Sequence, residues 1–128
     1  MMRLSWIIPV AAAILLASSA AASELVMYRR AGCVWCAAWD REIGPIYANS
    51  DIGRRVPIRL VDLDQDQDAT ILRDAPVRFT PTFVLVEAAR EVGRIEGYPG
   101  EHFFWGLLER LALRVQAQPA ADVGPRVR

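Results

Sequence analysis

The sequence contains no lysine, and all 15 of its basic residues are arginine. Covalent catalysis through a lysine Schiff base is therefore excluded. Fifteen aspartates and glutamates balance the arginines, so the formal net charge is zero. Domains that bind nucleic acid carry an excess of positive charge, so we expect no nucleic-acid partner.

Residues that bind transition metals are also scarce, with one histidine, His102, and two cysteines, Cys33 and Cys36. A structural zinc site needs about four ligands, which disfavours zinc. A c-type haem attachment needs a histidine directly after the second cysteine, where this chain has Ala37. The alternating aspartates of Asp62–Asp68 resemble a calcium loop but lack its glycine and glutamate. We expect no metal and no cofactor.

No apolar run reaches the roughly 20 residues that span a bilayer. Residues 1–22 instead have the three parts of a secretory signal peptide: a basic start with Arg3, an apolar stretch over Leu4–Leu16, and small residues ending in Ala20-Ala21-Ala22. We predict cleavage before Ser23 and export. The alternative is a leader that is retained as a membrane anchor.

The remaining chain is long enough for one hydrophobic core and too short for two. We therefore assign residues 23–118 to a single domain. Residues 119–128 contain two prolines and few apolar side chains, a composition typical of a disordered tail.

The hydrophobic pattern of the domain predicts the order strand, helix, strand, helix, strand, strand, helix. Strands are expected at Glu24–Arg30, Val56–Asp64, Phe83–Glu87 and Glu91–Glu96, and helices from Cys33 to Gly44-Pro45, at Ala69–Asp74 and at Glu101–Gln116, with a turn at Asp51–Arg55. This order favours an α/β fold in which a parallel pair of strands and an antiparallel hairpin form a mixed sheet of about four strands, flanked by helices. Phe83, Phe103 and Phe104 are expected in the core.

Both cysteines lie in the segment Gly32-Cys33-Val34-Trp35-Cys36, where the first strand gives way to a helix. Unpaired N–H groups and the helix dipole favour a thiolate at this place. We expect Cys33 to face solvent and attack a substrate, and Cys36, one turn deeper, to resolve the mixed disulfide. A disulfide between them is expected after export. It closes too small a loop to stabilise the fold much, which favours redox chemistry over an inert bridge.

The segments GCVWCAAWDREI, RLVDLDQ, RFTPTFVLVE and GRIEGYPGEHFFWGLLERL together resemble the thioredoxin superfamily, from about Glu24 to Leu113. Within it the chain looks most like the SoxS-type periplasmic proteins of bacterial sulfur-oxidation systems. The resemblance implies a thioredoxin-like fold, a periplasmic location, and a thiol-disulfide oxidoreductase that reduces the disulfide or mixed disulfide of a partner protein. It also implies an upstream electron donor, a membrane thiol transporter, and we expect a monomer.

The resemblance also assigns residues to the site. Cys33 matches the nucleophile and Cys36 the resolving thiol. Pro81 matches a proline that thioredoxins hold in the cis form beside the cysteines, which leaves the backbone of Thr80 to pair with an extended substrate segment. Trp35 is expected either to contact substrate or to pack on a neighbouring loop.

One position departs from the family pattern. Thioredoxins carry a buried acid six residues before the nucleophile, where this chain has Met27. Proton transfer must then come from water or another group, and Asp40, one turn beyond Cys36, is a candidate. Otherwise Asp40 is a solvated helix residue. Arg29 and Arg30 either favour an anionic substrate beside Cys33 or are solvated strand-end charges.

A second hypothesis is a thioredoxin-fold binding module without exchange activity. Two thiolates suit a soft ion such as Cu(I), with His102 and Met27 as conceivable further ligands.

Overall fold

The computed structural model describes residues 23–66 and 70–117. These residues form the strands β1 (Glu24–Arg29), β2 (Ile58–Asp62), β3 (Thr82–Glu87) and β4 (Arg90–Glu96), and the helices α1 (Val34–Glu42), α2 (Gly44–Tyr47), α3 (Asp51–Arg55) and α4 (Glu101–Ala117). The signal peptide predicted at 1–22 and the tail predicted at 119–128 lie outside the described residues. Among the described residues, no helix has the length and apolar composition needed to cross a membrane.

The strands form one sheet in the order β2-β1-β3-β4. β1 runs parallel to β2 and antiparallel to β3, and β3 and β4 form an antiparallel hairpin. The prediction of a mixed four-stranded sheet flanked by helices is confirmed. Because β1 lies inside the sheet, the end of β1 is supported by strands on both sides.

Alternating residues of β1 build two separate cores, as expected for a strand buried on both faces. Leu25 and Met27 join the larger core, to which all four helices contribute. Val26 and Tyr28 join a smaller core on the other face of the sheet. This smaller core also contains Ile71, Val84 and Val86, with Val61, Leu63 and Val77 packed against it.

The segment after β2 differs from the prediction. A helix was expected at Ala69–Asp74, but residues 70–74 contain none, and Leu72 forms a parallel bridge to Arg90. The Leu72 N–H donates to the Ala89 carbonyl at 2.8 Å, and the Leu72 carbonyl accepts from Glu91 at 2.9 Å. Pairing with β4 therefore satisfies the backbone groups that a helix would have paired internally.

The turn predicted at Asp51–Arg55 is wrong, since these residues form the short helix α3. The Ser50 hydroxyl caps the helix by accepting the Gly53 N–H at 2.9 Å. Asp51 lies in the first turn and Arg54 and Arg55 in the last, as the helix dipole favours. These local signals were sufficient to predict the helix.

The prediction that Phe103 is a core residue is also wrong, although Phe83 and Phe104 are fully buried as expected. Phe103 is 67 % exposed because only one side of α4 packs on the sheet. The buried residues of this helix are Phe104, Leu108, Leu111 and Ala112. The apolar stripe of α4 is therefore wider than the face that it buries.

The β3–β4 hairpin turns through Ala88 and Ala89, whose φ angles are 50° and 60°. Positive φ at both central residues is the geometry of a type I′ turn, which favours Asn-Gly. Alanine is strained there because its Cβ crowds the backbone.

We expect the double variant A88N/A89G to be more stable than the parent, with a free energy of unfolding higher by about 1 kcal/mol, because the substitutions remove this strain. Urea denaturation measures the change. Ala37→Gly, at an exposed position in α1, is the control and should lower the free energy by about 0.5–1 kcal/mol. An A88N/A89G variant no more stable than the parent would contradict the strain.

An ion pair between two residues of β4, Glu91 and Arg94, also binds the backbone of residues 74–76, which precede β3. The Arg94 guanidinium lies 2.5 Å from a Glu91 carboxylate oxygen, and the Glu91 side chain is 2 % exposed. The same carboxylate accepts the Asp74 N–H at 2.8 Å, and Arg94 donates to the Ala75 carbonyl at 2.7 Å. Burial raises the pKa of Glu91, but the bonds from Arg94 and Asp74 outweigh it and hold the pKa below its ordinary value.

Glu91→Gln should lower the free energy of unfolding at neutral pH by about 1–3 kcal/mol, because Arg94 and the Asp74 N–H lose an ionised partner. The contribution of Glu91 is present above the unfolded pKa of about 4.3 and is lost as pH falls through the lower folded pKa. Urea titrations across the acid range should therefore show a weaker pH dependence in the variant. Glu87→Gln, whose carboxylate has no partner among the described residues, is the control; equal effects of the two variants would refute this account.

Candidate active site

The cysteine pair lies where β1 passes into α1. The chain turns through Arg30, Ala31 and Gly32, and the Cys33 N–H donates to the Arg30 carbonyl at 3.3 Å. Gly32 has φ of +76°, a conformation that glycine adopts without a steric penalty. This tight turn places Cys33 directly before the first turn of α1.

Cys33 is the N-cap of α1, and its sulfur accepts the Cys36 N–H at 3.1 Å. The helix N-terminus therefore donates a hydrogen bond to the sulfur expected to attack. Cys33 is half-buried, whereas Cys36 is 1 % exposed and packed in the larger core. The two residues form a disulfide, with Cα atoms 5.2 Å apart. The predicted disulfide and the predicted order of depth are both found.

Pro81 lies at the same end of the sheet. The Thr80–Pro81 peptide bond is cis, and Pro81 is buried. In the β1–β3 register Tyr28 pairs with Thr82, so the residues before β3 meet the residues after β1. The Pro81 carbonyl accepts the Gly97 N–H at 2.7 Å, which connects this loop to the end of β4.

Several apolar side chains are exposed in the segments that meet at this end of the sheet. Trp35 is 62 % exposed and Val34 is 73 % exposed, although both lie between the cysteines. Phe79, two residues before Pro81, is 60 % exposed, and its carbonyl accepts the buried Thr82 hydroxyl at 2.7 Å. Sequence reasoning missed Phe79, since its type alone predicts burial. Thr80 is half-buried and precedes β3, so its backbone lies outside the sheet ladder.

Asp40 is engaged by Arg29, which lies at the end of β1. The guanidinium nitrogens of Arg29 lie 2.7 Å and 2.6 Å from the two carboxylate oxygens of Asp40. The hydrogen bond from Arg29 holds the pKa of Asp40 below its ordinary value, and the charge of Arg41 adds to this effect. The ion pair thus joins the last residue of β1 to the middle of α1. Proton transfer by Asp40 stays a prediction.

A groove of about 610 Å³ opens beside Cys33. Its lining includes Arg29, Arg30 and Arg41, one acid, Asp62, and the exposed side chain of Leu60. Sequence reasoning noted the first two arginines but missed Arg41 and Leu60. The signal for Arg41 was its spacing, because Cys33, Ala37 and Arg41 recur four residues apart along one side of α1.

Comparison with solved structures identifies the family. The periplasmic thioredoxin SoxS from Paracoccus pantotrophus, solved in the reduced form, is 43% identical to this chain, with a TM-score of 0.70. The match covers 73% of this chain and 98% of SoxS. This chain belongs to the thioredoxin superfamily and, within it, is similar to SoxS. It is a thiol-disulfide oxidoreductase that acts on protein thiols.

More distant thioredoxins share the fold. A thioredoxin from Malassezia sympodialis is 18% identical, with a TM-score of 0.55, and the match covers 73% of this chain and 77% of that protein. A thioredoxin from Fasciola hepatica is 23% identical, also with a TM-score of 0.55, over 71% of this chain and 82% of that protein. No protein-family model and no curated protein sequence matches the chain.

Met27 occupies the position where thioredoxins carry a buried acid. It is fully buried in the same core as Cys36, opposite Leu60 and Phe83 in the sheet. His102 is an exposed residue of the first turn of α4, with its ring against Phe103. Within the described residues, no three His, Cys, Asp or Glu side chains are grouped to hold a metal ion. The described residues therefore add no third His, Cys, Asp or Glu ligand to the two cysteines of the copper-carrier hypothesis.

Asp40→Asn tests which role this carboxylate has. Because the Arg29–Asp40 pair is partly exposed, we expect the free energy of unfolding at neutral pH to fall by only about 0.2–1 kcal/mol. This difference is present above the unfolded pKa of about 3.9 and disappears as pH falls through the lower folded pKa. Thermal unfolding across this pH range measures it. Asp51→Asn, which breaks an exposed ion pair with Arg54 on α3, is the control.

The same variant reports on catalysis. If Asp40 transfers a proton, Asp40→Asn will also change the pH profile of the step in which Cys36 resolves the mixed disulfide. A changed profile in Asp51→Asn as well would attribute the effect to general electrostatics and remove the case for Asp40.

Proposed function

We propose that the chain is an exported periplasmic reductase that acts on the disulfide or mixed disulfide of a partner protein. The observation that carries this proposal is the position of the Cys33 sulfur. It is accessible at the N-terminus of α1 and accepts a hydrogen bond from the N–H of Cys36, the residue that must later attack it. An accessible Cys33 sulfur and a buried Cys36 sulfur one helical turn away suit an exchange in two steps, in which Cys33 attacks the partner and Cys36 then releases it.

The reaction begins with both cysteines reduced. The Cys33 thiolate attacks one sulfur of the partner disulfide, forms a mixed disulfide and releases the other sulfur as a thiolate, which takes a proton. Cys36 loses its proton and attacks Cys33, which releases the second partner sulfur. The partner gains two electrons and two protons, and the protein is left with the Cys33–Cys36 disulfide of the present structure.

The exposed apolar side chains of Val34, Trp35 and Phe79 support binding of an extended partner segment. The backbone of Thr80 is available to pair with such a segment in the manner of an added strand, next to buried Pro81. Trp35 would then cover the segment from the side of the cysteines, since most of its side chain is exposed and no described residue stacks on it.

The cellular setting of this proposal has two supports. The pattern of residues 1–22 is that of a secretory signal peptide. The SoxS protein to which this chain is similar is described as periplasmic. We place the chain in the same compartment as a monomer, with a carrier protein of sulfur oxidation as partner. A membrane thiol transporter would supply the electrons that reduce the Cys33–Cys36 disulfide after each cycle.

Cysteine variants expressed with the leader test the proposal. Cys36→Ser should accumulate partner proteins bound through Cys33, because no second thiol releases them. Cys33→Ser, the matched control, should trap nothing and should reduce protein disulfides only at the background rate. Non-reducing gel electrophoresis and mass spectrometry identify the adducts. Reduction by Cys33→Ser at the rate of the parent would refute the assignment of the nucleophile.

A further inference from the structure

We infer that the groove beside Cys33 binds an acidic segment of the partner protein, next to the disulfide that is reduced, and that Arg41 determines this preference. The inference rests on the proposed function and names the substrate class of the same site.

The groove lies on the opposite side of Cys33 from Pro81. Its lining comes from the β1–α1 turn, from one side of α1 and from β2, including Leu60 and Asp62. In the sheet order, β2 lies on one side of β1, and β3, which follows Pro81, lies on the other. A disulfide approaching Cys33 joins two chain segments, so one can lie against Pro81 while the other enters the groove.

The charge of the groove favours an anionic segment. Arg29, Arg30 and Arg41 line it together with a single acid, Asp62. Asp40 and Asp64 do not line the groove, but they pair with Arg29 and Arg30 and offset their charges. Among the described residues, the lining cation without such a partner is Arg41. Arg30 uses only its Nε in the pair with Asp64, which leaves its terminal nitrogens for another acceptor.

Arg41 is the most available of these cations. Its side chain makes no hydrogen bond or ion pair with residues 23–66 or 70–117, although its charge helps to lower the pKa of Asp40. A position in the last turn of α1 favours a cation through the helix dipole, which accounts for the charge of Arg41. The dipole does not account for its alignment with Cys33 along the same groove. A carboxylate there would meet an arginine that has no competing partner among the described residues.

The form of the groove favours a chain segment over a small molecule. None of the residues that line it is buried, so it is an open channel on the surface. Small ligands are usually held in pockets that enclose most of their surface. Leu60, 51 % exposed on the edge strand β2, adds an apolar wall against which a peptide can pack.

The test uses three peptides that differ only beside one cysteine, which is flanked by Glu, Gln or Lys and blocked as a mixed disulfide with 2-mercaptoethanol. The reduced full-length mature protein is mixed with each peptide, and the oxidation of the Cys33–Cys36 pair is followed as peptide thiol and 2-mercaptoethanol are released. For the parent, we expect the rate constants to fall in the order Glu, Gln, Lys. In Arg41→Gln, the ratio of the Glu to the Gln rate constant should fall by about three- to tenfold, as expected for a charge that steers association.

Two controls separate charge from other effects. Arg110→Gln replaces an exposed arginine of α4 outside the groove and should leave the ratio at its parental value. Raising the ionic strength from about 0.1 M to 1 M shortens the screening length from about 10 Å to 3 Å, so the Glu preference of the parent should shrink toward one.

The outcomes separate this inference from the proposed function. Equal rate constants for the three peptides in an active parent would overturn the acidic preference and leave the reductase intact. An equal loss in Arg41→Gln and Arg110→Gln would overturn the role of Arg41. If Arg41→Gln slowed the reduction of a small anionic disulfide, dithiodiglycolate, and left the Glu to Gln peptide ratio at the parental value, the groove would bind small molecules instead. No reduction of any substrate by the parent would refute the proposed function itself.

Discussion

The chemistry of this protein depends on one short contact, in which the Cys36 N–H donates to the Cys33 sulfur at the start of α1. The contact forms only if β1 ends at Arg29 and the chain turns at once into a helix. Gly32 permits that turn, and β1 is held on both sides by neighbouring strands. A sulfur in this position shares the environment of the unpaired N–H groups of a helix, which stabilises negative charge. Cys36 is buried as a consequence, because the helical turn that brings its N–H to Cys33 directs its side chain into the core.

Two ion pairs hold the segments that meet at the site. Arg29 and Asp40 join the end of β1 to α1 across the turn that carries Cys33. Glu91 and Arg94 hold the backbone of residues 74–76, a few residues before Pro81. The first pair is partly exposed and the second is largely buried, so the second contributes more to stability and is the more costly to break. The other end of the loop that contains Pro81 is also held by a hydrogen bond, which the Gly97 N–H donates to the Pro81 carbonyl.

Sequence reasoning succeeded at the cysteine pair, where the signal was local, but it missed α3, whose cap and charges are equally local. The strand, the turn and the cysteine spacing are contiguous, and they predicted the depth of both sulfurs. Pro81 required the resemblance to thioredoxins, because proline at the start of a strand has no special meaning by itself.

Leu72 could not be placed correctly, since its backbone pairs with a strand 18 residues later. The groove was missed for the same reason, because Leu60 and Arg41 line one groove only after β2 has paired with β1. The prediction for Phe103 was wrong for a different reason. Its residue type and spacing are typical of a core position, but the buried face of α4 is narrower than the apolar stripe of that helix.

The distribution of charge around the pair separates this chain from thioredoxins that bury an acid behind the cysteines. Here that position is Met27, and the ionised groups near Cys33 lie on the solvent side, at Arg29, Asp40 and Arg41. A charge on the solvent side is screened by salt and can be contacted by a partner. A charge in the core is screened much less and cannot be contacted. The charges of a bound substrate can therefore alter the electrostatic potential at the Cys33 sulfur. A partner that brings its own carboxylates into the groove would pair with Arg41 as it docks, so recognition and the electrostatics of Cys33 are coupled through the same side chain.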